Sequence, residues 1–368
     1  HEAGQFNGSV VVILEDNFRL ARGYGYADLS EVTPNRVDTR YRIASVSKVF
    51  TALAIMSLVE DGLLALDAPV GTYLQLQNTE LADEVTVRQL LSHTSGLKRE
   101  AFDGGSIPDA PLDREGLLTA IQSSEFIAAS GERYSYSNAG YVLLRLIAEA
   151  AADSRFDQIV RERVIEPAGL GRTGFLESDT PVEGLADGFD VLLGERIAAD
   201  SETAPENMWG AGGMYSTALD LAALDLALLR GQVLAAEVLA EMERPHPPGR
   251  GLGWPTLLDG GTDEASNPSY GLVHNGDYSG TNVSFIRFPD ARFAVVMVSN
   301  QDRMARNELF QGVAALVNGG EAPQPTPNLL DSILQLAIDN GPETALAETE
   351  RLAAETGTPV LPHAFRTL

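Results

Sequence analysis

Tyr41-Arg42-Ile43-Ala44-Ser45-Val46-Ser47-Lys48-Val49-Phe50 leads into a long helical pattern. Val46, Val49, Phe50, Leu53, Ala54, Ile55, Leu58 and Val59 recur at the spacing of one wide apolar helix face. Asp61-Gly62 ends the run, glycine being the usual residue just past a helix end. The pattern predicts a buried helix with Ser45 at or near its first turn and Lys48 one turn on, on the same side. A hydroxyl and an amine are thereby paired on one rigid element, under the positive end of the helix dipole, as candidate nucleophile and base.

Upstream, residues 7–15 form a β-branched run, Glu15-Asp16-Asn17 makes a turn, and Phe18 to Tyr26 returns as a second strand. Downstream, from about 70 to 230, strand character is thin. Helices are predicted there at Val87–Leu91, Arg114–Ser123, Asn138–Asp153, Phe156–Ile165 and Ala218–Leu229, separated by Gly-, Pro- and Ser-containing loops. Strands return at Gly271–His274, Thr281–Phe288 and Arg292–Ser299, followed by an amphipathic helix over Arg303–Val317. A sheet drawn from both ends of the chain, with helices between, is an α+β layout. Residues 1–320 are expected to form one domain with a mainly helical part at about 70–230. Residues 321–368 read as a Pro-rich linker (Glu321 to Pro327) and a helical extension over 328–339 and 343–355, a candidate oligomerisation element.

The 368 residues suffice for a substantial core, and 44% apolar content with 35 Gly and 19 Pro fits a globular chain with many turns. No stretch approaches the roughly 18 apolar residues of a membrane span, so none is expected. The absence of cysteine excludes disulfides, thiol catalysis and Cys-ligated metals. A formal charge of −26 argues against nucleic acid and anionic membrane surfaces as partners. The start at His1-Glu2-Ala3, without Met, suggests a processed or trimmed chain, and a periplasmic or secreted location is the expectation. Lysine occurs only at Lys48 and Lys98, which makes the amine at position 48 less incidental.

Ser-x-x-Lys alone is a weak signal: Ser95-Gly96-Leu97-Lys98 matches it too, but in a loop with no helix to fix the pair. Two further elements strengthen the first copy. Tyr136-Ser137-Asn138 precedes a helix, where a phenol can shuttle a proton and an amide can hold a substrate carbonyl while bonding the lysine. His274-Asn275-Gly276 lies at a strand end, where glycine lets backbone approach a ligand closely. Taken singly, the first reads as an aromatic turn with an Asn cap and the second as a strand-end histidine.

In this order the three resemble the signature of penicillin-recognising serine hydrolases: Ser-x-x-Lys, Tyr-x-Asn, then Lys/His-x-Gly. Leu90-Leu91-Ser92-His93-Thr94-Ser95-Gly96-Leu97 and Gly210-Ala211-Gly212-Gly213-Met214-Tyr215-Ser216-Thr217 are similar to further stretches of the class C β-lactamase-like group, which includes D-specific peptidases and family VIII esterases. The resemblance covers residues about 6–318. It implies a β-lactamase/transpeptidase-like fold, a central antiparallel sheet flanked by helices plus a mainly helical part, with the active site between them. It also implies an acyl-enzyme on Ser45, proton transfer shared by Lys48 and Tyr136 with either as base, Asn138 and His274 toward the substrate, and an oxyanion hole from the backbone N–H groups of Ser45 and Asp277 beside Gly276.

One departure bears on substrate. Where typical β-lactamases carry Lys-Thr-Gly, this chain has His274-Asn275-Gly276, and an imidazole with a reference pKa near 6.5 is mostly neutral above that. The expected substrates are small carboxylic esters or peptides and amides containing a D-residue, with weak β-lactam turnover. The alternatives are a DD-peptidase or β-lactamase proper, or a non-catalytic binder of cell-wall peptides. The chain contains no Gly-x-Ser-x-Gly elbow, His-Glu-x-x-His helix or Walker-type phosphate loop, and no cofactor or metal is expected. His1, His93, His246 and His363 are scattered; His93 reads as structural, and Trp209-Gly210 as either lining the cleft or packing.

Overall fold

The computed structural model describes residues 6–100, 102, 107–192, 195–199, 204–247, 249–259, 270–302, 304–317 and 319–321, with short pieces between 339 and 351. Its centre is a six-stranded antiparallel sheet made from both ends of the chain. The strands are β1 (Gly8–Leu14), β2 (Asn17–Tyr24), β8 (Thr256–Asp259), β9 (Tyr270–Tyr278), β10 (Thr281–Phe288) and β11 (Phe293–Ser299), in the order β2-β1-β11-β10-β9-β8. The register pairs Val10 with Met297 and Asp277 with Asn282.

Both faces of this sheet are covered, which is why β1 reads as a continuous apolar run rather than an alternation. Val11, Ile13, Val283, Phe285, Val296 and Val298 face the main core. Val10, Val12, Val273, Ile286, Val295 and Met297 face the other side. There Leu309, Phe310, Val313 and Val317 of the last described long helix, Arg306–Val317, pack on them.

The main core is organised around α1 (Ser47–Glu60), which is buried at every position from Ser47 to Leu58. The expected single apolar face is thus a helix enclosed on all sides, and its polar residues survive burial because each finds a partner. Ser47 Oγ donates to the Ala44 carbonyl at 2.6 Å, Thr51 Oγ1 to the Gly210 carbonyl at 2.7 Å, and Ser57 Oγ accepts from Arg163 at 3.0 Å. Gly62, with φ +72°, follows the helix end.

Helices α2 (Thr79–Glu84), α3 (Val87–Leu91), α4 (Arg114–Gln122), α5 (Asn138–Ala152), α6 (Phe156–Val160), α7 (Ala218–Leu229) and α8 (Ala236–Glu243) complete the helical layer, and Arg306–Val317 is α9. Side-chain caps define several starts: Asp113 accepts from Gly116 N–H, Ser137 from Gly140 N–H, and Thr217 from Asp220 N–H. Thr86 and Gln89 make a reciprocal capping box on α3. Arg287 on β10, fully buried, ties sheet to helices by ion pairs to Asp225 of α7 and Glu243 of α8.

The structure adds to the expectations and corrects one. The section from 70 to 230, expected to be mainly helical, also holds short strands: β4 (Gly174–Phe175), β5 (Phe189–Leu192), β6 (Glu195–Ala198) and β7 (Met214–Ser216). Together with β3 (Tyr41–Arg42), β7 and β4 form a small sheet in the order β3-β7-β4, while β5 and β6 pair as a hairpin. Strands of two to four residues are too short to show an alternation. Helices α2 and α8 and the edge strand β8 were not anticipated. The strand carrying His274, expected to end there, instead runs through Gly276 to Tyr278. The predicted linker residues from Ala322 onward and the helix over 328–339 lie almost wholly outside the described residues, as does most of 343–355.

Candidate active site

Ser45 does not sit inside α1. It lies on a 3₁₀ turn, Ala44–Val46, that enters the helix, and Lys48 is the second residue of α1 proper. The turn is tight because Ala44 takes a left-handed backbone (φ +45°), uncommon for a residue with a Cβ and worth about 1–3 kcal/mol of strain. Ile43 N–H to the Met214 carbonyl at 3.0 Å, and the Ser47 hydroxyl to the Ala44 carbonyl, hold it in place.

Lys48 has no solvent exposure, and three oxygen atoms surround its amine. Ser45 Oγ lies at 3.2 Å, Asn138 Oδ1 at 2.8 Å and the Ala211 carbonyl at 2.5 Å. Burial lowers the Lys48 pKa well below the ordinary lysine value; the Glu100 carboxylate opposes this and Arg99 adds to it. The phenol of Tyr136 lies close to both Ser45 and Lys48. Its ring centroid is 5.0 Å from Lys48 Nζ, and burial raises its pKa against a hydrogen bond with Ser45 that lowers it.

Asn138 is oriented rather than merely present. It is the first residue of α5, its N–H donates to the Arg99 carbonyl at 2.7 Å, and its Nδ2 donates to both Glu100 oxygens at 3.0 and 2.9 Å. Since a carboxylate only accepts here, the amide oxygen must face Lys48. Glu100 pairs with Arg99 at 3.0 Å, and the Arg99 guanidinium lies 5.0 Å from the Tyr136 ring centre.

His274 is buried on β9. Its Nδ1 bonds the Asn275 carbonyl at 2.9 Å, so that nitrogen carries the proton. Burial, reinforced by Lys48, pushes its pKa down to about 3. The imidazole is therefore neutral at physiological pH, as the sequence suggested, though for a stronger reason than its reference pKa. Gly276 serves close approach: a Cβ there would lie 2.4 Å from the Ile43 carbonyl oxygen and 3.4 Å from the Ala44 Cβ. The strand can run against the Ser45 turn only without a side chain at this position. Arg306 bonds the Gly276 carbonyl at 2.9 Å and the Asp277 carboxylate at 2.5 Å, fixing this part of β9 to α9.

Ser45, Lys48, Tyr136 and Asn138 are thus brought together, and the backbone of Gly276 is beside them. The second Ser-x-x-Lys copy is elsewhere in kind: Ser95 is buried in a loop, its Oγ near Leu97 N–H. Trp209 packs, with its Nε1 donating to the Leu176 carbonyl at 3.0 Å and its ring 4.9 Å from that of Phe175, and it borders a pocket with Arg145, Glu149 and Glu206 rather than with Ser45. Sequence reasoning missed Glu100 and the Ala211 carbonyl. Only the small-residue run Gly210-Ala211-Gly212-Gly213, which lets a main chain approach α1, hinted at the latter. Among the described residues no cluster of three His, Asp or Glu side chains is placed to hold a metal, and no helix is long and apolar enough to cross a membrane.

An antiparallel sheet flanked on both faces by helices, with a serine–lysine pair against its edge, is the β-lactamase/transpeptidase-like architecture. Residues 1–317 match the family model described as Beta-lactamase, and the chain belongs to that family of serine hydrolases. It resembles the penicillin-binding protein from Bacillus halodurans, with 29% identity, a TM-score of 0.69, and coverage of 84% of this chain and 97% of that one. The D-amino acid amidase from Ochrobactrum anthropi SV3 complexed with L-phenylalanine amide is similar at 26% identity and a TM-score of 0.64, over 80% of this chain and 85% of that one. Protein flp of Staphylococcus aureus (strain MW2) is 25% identical over 210 residues, 56% of this chain. The chain spans only 42% of that relative's length.

Proposed function

We propose that the chain hydrolyses small esters and amides, including amides of D-amino acids, through an acyl-enzyme on Ser45. The observation that carries this reading is the arrangement of acceptors around Lys48. A neutral amine has two N–H donors and one lone pair. Asn138 Oδ1 and the Ala211 carbonyl, at 2.8 and 2.5 Å, take the two donors, which leaves the lone pair for the Ser45 hydroxyl at 3.2 Å.

The lowered Lys48 pKa and the raised Tyr136 pKa favour the amine over a phenolate as base. In acylation the Ser45 proton passes to Lys48 as Oγ attacks the carbonyl. Tyr136, bonded to the same Oγ, relays a proton to the departing alcohol or amine. Water then attacks the acyl carbon, its proton passing to Lys48, and Lys48 returns that proton to Ser45 Oγ as the acid departs. The developing oxyanion is assigned to the backbone N–H groups of Ser45 and Asp277, which the missing Cβ of Gly276 allows to converge.

For substrate choice the charges matter. His274 is neutral where dedicated β-lactamases carry a lysine, so no fixed cation stands at that position for a substrate carboxylate. Glu100 supplies a carboxylate next to Asn138 and Lys48, which suits an acyl group bearing an amine. The likeness to a D-amino acid amidase supports this class. A panel of nitrophenyl esters of several chain lengths, D- and L-amino acid anilides and a chromogenic cephalosporin tests it, with Ser45→Ala beside the wild type. Short esters and D-anilides should be cleaved and the cephalosporin far more slowly. Cephalosporin hydrolysis as fast as that of the best ester, or turnover retained in Ser45→Ala, would sink the proposal.

A further inference from the structure

His93 looks like an ordinary buried histidine, yet its backbone is left-handed (φ +57°), uncommon for a residue with a Cβ although His is among those that adopt it more readily. What that conformation achieves is visible in its contacts. The His93 carbonyl accepts from Ser135 N–H at 2.7 Å, and its Nδ1 accepts from Ser137 N–H at 3.1 Å. These are the residues on either side of Tyr136. The His93 ring meanwhile stacks on the Tyr136 ring, with centroids 4.3 Å apart and planes at 25°. Tyr141, whose hydroxyl donates to the Leu91 carbonyl at 2.9 Å, lies 4.9 Å from the imidazole on a second side.

We propose that His93 is a positioning residue for Tyr136, holding the phenol against Ser45 and Lys48 by a ring stack and a two-sided clamp on its backbone. The proposal rests on the reading of Tyr136 as a proton-carrying group. Two demands meet in one side chain: an acceptor for the Ser137 N–H, which lies at the start of α5 outside the helical ladder, and a flat face for the phenol. Asparagine meets the first demand and phenylalanine the second; histidine meets both. Because Nδ1 accepts, the proton resides on Nε2. Protonating Nδ1 would break the clamp, and burial keeps the ring neutral. A neutral ring so close to Lys48 is therefore a holder for Tyr136 and not a second base.

The test is a double-mutant cycle read together with the position of the phenol. His93→Asn tolerates the left-handed backbone and keeps an acceptor, while His93→Phe keeps the ring. Displacing a reacting group by about 1 Å costs roughly 10²-fold, so each variant should lower kcat by about 10- to 100-fold while leaving KM nearly unchanged. In a Tyr136→Phe background the same changes should have little further effect, because the group being positioned is gone. In protein carrying ¹³C at the tyrosine ζ-carbon, the resonance that vanishes in Tyr136→Phe should shift in His93→Asn, while those of Tyr24 and Tyr26 stay. An unmoved Tyr136 resonance, or losses fully additive with Tyr136→Phe, would overturn the proposal. A shifted resonance with Tyr136→Phe fully active would instead remove the proton-carrying role of Tyr136 and leave the positioning intact.

Discussion

Replacing Lys48 by methionine separates catalysis from stability in this site. The substitution keeps most of the side-chain volume and removes the amine. Two buried acceptors, Asn138 Oδ1 and the Ala211 carbonyl, then lose their donor. At about 1–3 kcal/mol for each buried group left unpaired, the loss is about 2–6 kcal/mol. Against it stands the cost of burying a neutral amine at 0% exposure, about 1–3 kcal/mol, which disappears with it. The two offset in part, so the melting temperature should fall by less than about 10 °C. Asn138 stays oriented because Glu100 still holds its Nδ2. Activity has no such compensation: losing the base should lower kcat/KM by about 10²- to 10⁴-fold. Thermal unfolding and initial rates with a short nitrophenyl ester measure both quantities on one preparation. Activity within tenfold of wild type would refute the role given to Lys48, and activity lost only in proportion to unfolding would refute the partial offset.

Two other perturbations test the same framework. Between pH 6.5 and 3 the unfolded chain binds a proton at His274 that the folded chain does not, so unfolding takes up protons and stability should fall as the pH drops through this window. The slope from this group approaches about 1.4 kcal/mol per pH unit. Urea titrations of wild type and His274→Gln at pH 4 to 7 should show a shallower slope in the variant; equal slopes would contradict the neutral imidazole. Gly276→Ala would place a Cβ 2.4 Å from the Ile43 carbonyl oxygen, so either β9 or the Ser45 turn must shift. Overpacking against backbone costs about 1–3 kcal/mol. A fall in kcat larger than the fall in stability explains is expected, and wild-type kinetics would show that the close approach does not matter.

What the sequence revealed divides along physical lines. Helices α3 and α7 fall on the predicted residues, because their apolar spacing and the Thr86 and Thr217 caps are local signals. The strands β10 and β11 were legible from β-branched runs with a Pro-Asp turn between them. The short strands β3, β4 and β7 were not, since pairs of two or three residues are specified by partners far along the chain. Ser45, Lys48, Tyr136 and Asn138, which the structure brings together, were singled out because their order follows a known signature. Glu100 and Ala211 belong to no pattern of side chains: one acts by orienting an amide, the other through its carbonyl. His93 was read as structural, a description that stands, but what it supports is the phenol of Tyr136.

An acyl group carried by Ser45 should be directly detectable. Rapid-quench intact-mass measurement with a short nitrophenyl ester, followed by peptide mapping, tests it directly. One acyl adduct is expected on the peptide containing Ser45, accumulating within a single turnover and absent in Ser45→Ala. An adduct on another residue, or turnover in Ser45→Ala with no adduct at all, would contradict it.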